Sequence, residues 1–306
     1  MILVTGGLGM IGAHTARALI DLGQEVVITS YRQVDVPSFL AGKVAVESLD
    51  VTDREAFLAL GDRYDISDIV HLAGTVPGED PVSYFRTDTT GLLNALDAAR
   101  TWGVRRFAVA SSIGVYIGRP ERPWHEELDL PTAELPHLIV AFKKAVEPLT
   151  THTLQGSGVQ PVVLRIGSIW GPLMDPESPF SPVPPYVGAL LRGQKPQPLY
   201  ADDGGDSCYA PDAGQAIALL TTAETLNHHT YNVSNGRPST NRELVEALQG
   251  TTPEVELELL PGRKHGPGVD PYLDISRLTA DTGYKPAFDV AAAVTDYVDW
   301  RRSNAR

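Results

Sequence analysis

The segment Val4-Thr5-Gly6-Gly7-Leu8-Gly9-Met10-Ile11-Gly12 constrains this chain more than any other. It follows the apolar run 2–4 and opens the amphipathic stretch 9–22, so it joins a strand to a helix. Gly6 permits the tight turn, Gly9 lets the backbone approach a pyrophosphate, and Gly12 lets helix and strand pack closely. The helix start at Met10 and Ile11 then offers free N–H groups and a positive dipole end to phosphates. Strand, glycine turn and helix in this order predict a dinucleotide-binding unit.

The rest of the first 170 residues repeats that alternation. Short β-branched runs at 2–4, 25–29, 43–46, 68–72, 105–110 and 160–165 read as strands. Between them, 53–60, 80–100 and 132–155 read as helices; Leu92, Leu93, Leu96 and Ala99 give the second of these one apolar face. Such alternation predicts an α/β fold, a Rossmann-type doubly wound parallel sheet covered by helices on both faces. After Gly171 the pattern changes: residues 172–198 hold eight of the 24 prolines, which excludes a regular strand or one long helix. Beyond them, 210–223, 240–248 (capped by Ser239) and 290–300 read as helices, and 230–233 and 255–260 as strands. The expected division is a dinucleotide-binding domain of residues 1–171 plus about 207–234. A smaller C-terminal substrate domain takes residues 172–206 and 235–306.

Charge and composition remove several function classes. The 306 residues carry 25 Lys and Arg against 38 Asp and Glu, a net charge of −13. That balance argues against nucleic acid and against an anionic membrane surface as partners. The single cysteine, Cys208, excludes an internal disulfide and fits a reducing compartment. The eight histidines show no ligand spacing, so no metal site is expected. No apolar run approaches the ~20 residues of a membrane-spanning helix, and the apolar start is too short for a signal peptide, so the expectation is cytoplasmic.

The end of the second strand bears on the choice of dinucleotide. A carboxylate there would bond the adenosine ribose of NAD, and a cation would pair with the 2′-phosphate of NADP. Glu25-Val26-Val27-Ile28-Thr29 runs into Ser30-Tyr31-Arg32, with no acid before Asp35. Ser30 and Arg32 can both hold a phosphate, so NADP is expected ahead of NAD.

At this point the chain resembles the extended short-chain dehydrogenases/reductases, the NAD(P)-dependent epimerase/dehydratase family. The resemblance rests on the glycine segment, on Asp50-Val51-Thr52-Asp53, and on His71-Leu72-Ala73-Gly74. It continues through Ser111-Ser112-Ile113-Gly114-Val115-Tyr116 and Leu164-Arg165-Ile166-Gly167-Ser168-Ile169-Trp170-Gly171-Pro172. Tyr231-Asn232-Val233 and Gly283-Tyr284-Lys285-Pro286 extend it towards the C-terminus. The resemblance implies that Asp50 and Val51 contact the adenine, that Leu72, Ala73 and Gly74 line the nicotinamide ribose, and that Ile166 borders the cofactor. It also implies a homodimer formed through the helices 80–100 and 132–155.

The family's chemistry is hydride exchange with nicotinamide, assisted by Ser or Thr, Tyr and Lys. Ser112 matches the serine, and Lys143, with Glu147 four residues later, matches the lysine and its following acid. The tyrosine should stand four residues before the lysine, on the same helix face. Ile139 stands before Lys143, and Val140 before Lys144. Asp88 also replaces the family's usual Asn. Tyr116, His137 and Tyr209 are candidate substitutes for the missing donor; His137 qualifies only if its helix starts after it. Tyr116 is taken with Ser112 and Lys143 as the catalytic set.

Ile113 and Gly114 stand where sugar-nucleotide 4,6-dehydratases carry an Asp-Glu pair, which speaks against that dehydration. Near Asp202, Asp203 and Asp206 the chain lacks the Arg with which nucleotide-sugar enzymes hold a diphosphate. The reading is therefore an NAD(P)-dependent oxidoreductase or epimerase acting on a small hydroxy- or carbonyl-bearing, sugar-like substrate. A non-catalytic NADP(H)-binding sensor or assembly protein and a nucleotide-sugar epimerase are the alternatives. Arg263 and Lys264 could hold an anion from the second domain.

Overall fold

A computed structural model describes residues 1–32, 35–78, 80–252, 257–264, 268 and 270–306. In chain order the first part is β1 (Ile2–Thr5), α1 (Met10–Asp21), β2 (Val26–Ser30), β3 (Ala45–Ser48), α2 (Arg54–Leu58) and β4 (Asp68–His71). There follow α3 (Pro81–Trp102), β5 (Arg106–Ala110), a 3-10 turn (Ile113–Tyr116), α4 (Leu138–Leu154) and β6 (Gln160–Ile166). The second part holds β7 (Ile169–Trp170), α5 (Val183–Leu191), β8 (Leu199–Tyr200), β9 (Gly204–Asp206), β10 (Cys208–Tyr209) and α6 (Ala210–Thr222). It closes with β11 (Thr230–Val233), β12 (Pro238–Thr240), α7 (Asn241–Thr251), β13 (Leu259–Leu260), α8 (Ser276–Thr282) and α9 (Val290–Ser303).

Seven parallel strands form one sheet in the order β11-β6-β5-β4-β1-β2-β3. The order reverses beside β1, so a crevice opens at the carboxyl ends of β1 and β4, where such sheets bind ligands. Both faces are covered. One apolar cluster joins Val4, Ile28, Val70 and Leu164 to Ala13 and Ala16 of α1 and Ala213 and Ile217 of α6. The other joins Leu3, Val27, Ile69 and Phe107 to Leu92 and Leu96 of α3 and Val146 of α4. Alternate residues of each strand thus face opposite clusters, and burying a leucine such as Leu96 contributes ~2 kcal/mol.

The helix limits follow local chemistry. α3 starts where Asp80 accepts from the N–H groups of Val82 and Ser83 with Pro81 in the first turn, and it stops at left-handed Gly103. Its buried face takes Leu92, Leu96 and Ala99, whereas Leu93 is 46% exposed and does not belong to it. α4 begins at Leu138 rather than at 132, because Pro136 disfavours the helical conformation in the residue before it. α7 is capped by Thr240, not Ser239: Thr240 accepts from the N–H of Glu243, whose carboxylate returns to the Thr240 N–H. The Pro-rich stretch bends into α5, with Pro184 and Pro185 in its first turns, where proline costs little. Of the expected strand 255–260, Leu259–Leu260 pairs with β8, while 255 and 256 lie outside the described residues. A separate apolar cluster of Trp170, Tyr186, Leu244, Leu248, Val294 and Tyr297 draws α5, α7 and α9 together.

Candidate functional site

The turn after β1 has the geometry its glycines suggested. Gly6 has φ +67°, and a Cβ there would lie 2.9 Å from the Ala73 nitrogen. A Cβ on Gly12 would lie 2.2 Å from the Gly6 carbonyl oxygen, so any side chain would push α1 off the turn. Gly9 caps α1 and has no side chain to take up the first-turn N–H groups, which include those of Met10 and Ile11. Those groups are left for an anion.

The turn borders a cavity of about 730 Å³ at the carboxyl ends of β1, β2 and β4. Gly6 and Gly9 form its middle; Ser30, Arg32, Asp50 and Val51 line one end; Leu72, Ala73 and Gly74 line the other. Of the sequence-derived cofactor residues, all but Met10, Ile11, Lys143 and Ile166 line it. Met10 and Ile11 can contribute only backbone at the helix start, since both side chains pack on the apolar core. Ile166 lies buried in that core and is not among the described residues of the cavity wall. Arg32 stacks on the Tyr31 ring, with 5.3 Å from its guanidinium carbon to the centroid. Among the described lining residues the carboxylates are Asp50 and Asp88, and no acid stands at the end of β2. Asp50 Oδ1 accepts from the Thr52 N–H at 2.9 Å and its hydroxyl at 2.7 Å.

Two further residues organise the wall. Thr5 Oγ1 lies 2.9 Å from His71 Nδ1 and accepts from the N–H groups of Leu72 and Ala73, each at 3.2 Å. Burial, with a smaller contribution from the Lys143 charge, lowers the His71 pKa to about 3, so the ring is neutral. Thr5 lay in view within the glycine segment, but its partners are 66–68 residues away, and no local pattern announces them.

At the β5 end, Lys143 Nζ donates to the Ala110 carbonyl at 2.7 Å. Part of its side chain stays accessible, yet the enclosed ammonium has its pKa lowered to about 8 by desolvation, against the opposing pull of Asp88. Ser112 Oγ accepts from the Gly114 N–H at 3.0 Å. Ile139 sits one turn before Lys143 on α4, half-buried. The candidate substitutes for a tyrosine fare differently. Tyr116 is fully buried: its hydroxyl donates to Asn232 Oδ1 at 2.8 Å and accepts from Arg165 at 2.8 Å. Desolvation pushes its pKa up to about 12, so it is placed as a packing and network residue rather than at the cleft. Tyr209 donates to Asp296, and burial raises its pKa. His137 is exposed and is the N-cap of α4, so the helix does start after it.

Glu147 holds this region from behind. It pairs with Arg165 through both oxygens, at 3.0 and 2.8 Å, and accepts from Ser111 Oγ at 2.6 Å. A second cavity of about 370 Å³ opens next to Ile113 and runs to Trp170, Phe180, Ser207 and Asn241. Asp203 and Asp206 line it, and no Arg, Lys or His does among the described residues. Asp206 accepts from Ser168 N–H, Ser234 Oγ and Leu273 N–H; burial raises its pKa to about 6. Asp202 instead pairs with Arg242 on the surface. Arg263 is held by both oxygens of Asp270, at 2.6 and 3.0 Å, and the Lys264 backbone donates to Asp203. Cys208 is buried, and no cluster of metal-ligating side chains occurs among the described residues.

Comparison with known proteins agrees with this geometry. The model of the NAD dependent epimerase/dehydratase family matches residues 2–234. A putative UDP-glucose 4-epimerase of Methanocaldococcus jannaschii is 22% identical over 326 residues, covering 100% of both chains. A dTDP-glucose 4,6-dehydratase of an Actinoplanes species is 28% identical, covering 99% of this chain and 98% of its own. The crystal structure of a Thermus thermophilus UDP-glucose 4-epimerase in complex with NAD superposes with a TM-score of 0.79 at 27% identity, covering 99% of each chain. With a matching seven-stranded parallel sheet, glycine turn and cavity, the chain belongs to the NAD dependent epimerase/dehydratase family.

Proposed function

We propose that this protein is an NAD(P)-dependent oxidoreductase or epimerase acting on a small hydroxy- or carbonyl-bearing, sugar-like substrate without a nucleotide diphosphate. The observation that carries the substrate reading is the 370 Å³ cavity, whose described charged lining residues, Asp203 and Asp206, are both acids. A carboxylate such as that of Asp203, with no cation lining the cavity beside it among the described residues, disfavours a diphosphate and accepts hydroxyl groups, while Asp206 is held by Ser168, Ser234 and Leu273. Residues 172–206 and 235–306 form the substrate-binding part in this reading, and the enzyme works as a cytoplasmic homodimer.

The 730 Å³ cavity, with its open turn and free first-turn N–H groups, fits the dinucleotide. When bound, the cofactor supplies a hydride acceptor or donor at nicotinamide C4. Ser30 and Arg32 favour the 2′-phosphate of NADP, although the family is NAD-dependent. Lys143 orients the nicotinamide ribose from its anchor on Ala110, and Ser112 Oγ donates to the substrate oxygen. Ile139 can move no proton, so the usual tyrosine relay has no counterpart at that position. Turnover then relies on hydride transfer to a substrate that needs little acid–base help, its oxygen exchanging the accompanying proton with solvent through the Ser112 hydroxyl.

The relatives favour a second reading, a nucleotide-sugar epimerase, and Ile139 favours a third, a cofactor binder without turnover. One experiment separates them: reduced-cofactor absorbance with a panel of small ketones and sugar acids, beside chromatographic detection of the epimer formed from UDP-sugars, in parent and Ile139→Tyr. Parent turnover on small carbonyl compounds supports the proposal. Turnover on UDP-sugars alone selects the epimerase. A silent parent that binds cofactor, with an active I139Y variant, selects the binder.

A further inference from the structure

Hydrogen bonding alone does not explain why an acid stands at position 88. Asp88 lines the cofactor cavity from α3, one turn after Tyr84. Its Oδ1 accepts from the Thr75 N–H at 3.0 Å and the Thr75 hydroxyl at 2.8 Å. The Tyr84 phenol, kept protonated by burial, is hydrogen-bonded to the same side chain. The other oxygen, Oδ2, stands 3.6 Å from the place a Cβ on Gly74 would take. An amide oxygen could accept from Thr75 and Tyr84 equally well. What the carboxylate adds is charge.

That charge acts on Lys143. Among the described residues around it, Lys143 is the cation whose ionisation Asp88 assists. Asp88 lines the cavity beside Gly74 and Thr75, and Lys143 reaches the Ala110 carbonyl at the end of β5, the strand next to β4. Phosphates belong at the α1 start, and the adenosine end lies over β2 and β3 with Ser30 and Asp50. The nicotinamide half must therefore run over β4 and β5, where Gly74, Thr75 and the Ala110 carbonyl stand. An oxidised nicotinamide ring carries a positive charge that the reduced ring lacks. Lys143 alone would repel the oxidised form; a carboxylate near it offsets that field.

We propose that Asp88 sets the redox preference of the bound cofactor, shifting the site towards oxidised nicotinamide. The inference rests on the reading that the 730 Å³ cavity holds the dinucleotide. The test is calorimetric titration of the full chain with the oxidised and reduced forms of NAD and of NADP, without substrate, in parent, Asp88→Asn and Lys143→Met. In D88N the dissociation constant of the oxidised form should rise about tenfold relative to that of the reduced form. In K143M the ratio should move the other way. A ratio unchanged in both variants would overturn the proposal while leaving the cofactor reading intact. Equal weakening of both forms in D88N would also overturn it, since Asp88 would then merely support the Thr75 loop. A parent that binds none of the four would overturn both readings at once.

Discussion

The two cavities draw their walls from different kinds of chain. The larger is framed by the carboxyl ends of β1, β2 and β4, and its shape is set by backbone: a left-handed glycine, a helix start without a cap, and a hydroxyl that collects two N–H groups. The smaller is assembled from Trp170, Phe180, Asp203, Asn241, Pro271 and Val290, six points spread over 120 residues. Backbone walls tolerate little change in sequence, because a Cβ or a lost N–H cannot be repacked. Side-chain walls can be rewritten one residue at a time, which is how a family keeps its cofactor and varies its substrate.

Acid separates the two regions most strongly. His14, buried in α1 against Phe39, has its pKa lowered from 6.5 to about 4 by desolvation. The unfolded chain therefore takes up that proton first, and stability present above about pH 6.5 drains as pH falls towards 4. His71 adds the same sign. Asp206 has the opposite sign: its pKa is raised from 3.8 to about 6, so the folded state gains relative stability as pH falls through 6. The His14 and Asp206 effects are each worth about 3 kcal/mol and that of His71 about 5 kcal/mol. Native-state hydrogen exchange between pH 6.5 and 4.5, corrected for intrinsic rates, should show α1 losing protection while Ser168 and Leu273 hold theirs. Parallel loss in both regions would break the contrast.

The next largest effect belongs to the glycine turn. Gly12→Ala places a methyl 2.2 Å from the Gly6 oxygen, and moving the α1 start should weaken dinucleotide binding about a hundredfold by calorimetry. Binding within threefold of the parent would show that the wall is more compliant than its backbone suggests. Arg32→Ala should cost about tenfold in NADP affinity and leave NAD nearly unchanged, since an exposed charge–phosphate contact is modest. Equal loss for both would remove the role given to Arg32.

Legibility in the sequence followed the same division. Strand–helix alternation and the glycine spacing are local signals, so the sheet, its helices and the residues from Gly6 to Gly74 could be read directly. The α7 start could have been read too: of the two neighbouring hydroxyls, only Thr240 has a Glu three residues on. Other features depend on partners far along the chain. Tyr116 sits at a motif position that resembles an active site, but Arg165 and Asn232 turn it into the interior. Ile166 points into the core because it alternates in step with Val162 and Leu164, which meet the α6 residues there. The smaller cavity had no local signature beyond the acids near 203 and the prolines before α5.

The buried pair of Glu147 with Arg165 has a mechanical meaning for the region around Lys143. Removing one member of such a pair leaves an uncompensated charge and costs about 3–5 kcal/mol, so α4 cannot slide along the sheet without meeting a steep barrier. Lys143 lies one helical turn from Glu147 and reaches the Ala110 carbonyl over a single hydrogen bond. The pair therefore works as an indexing pin: it fixes the axial position of the helix, and with it the ammonium.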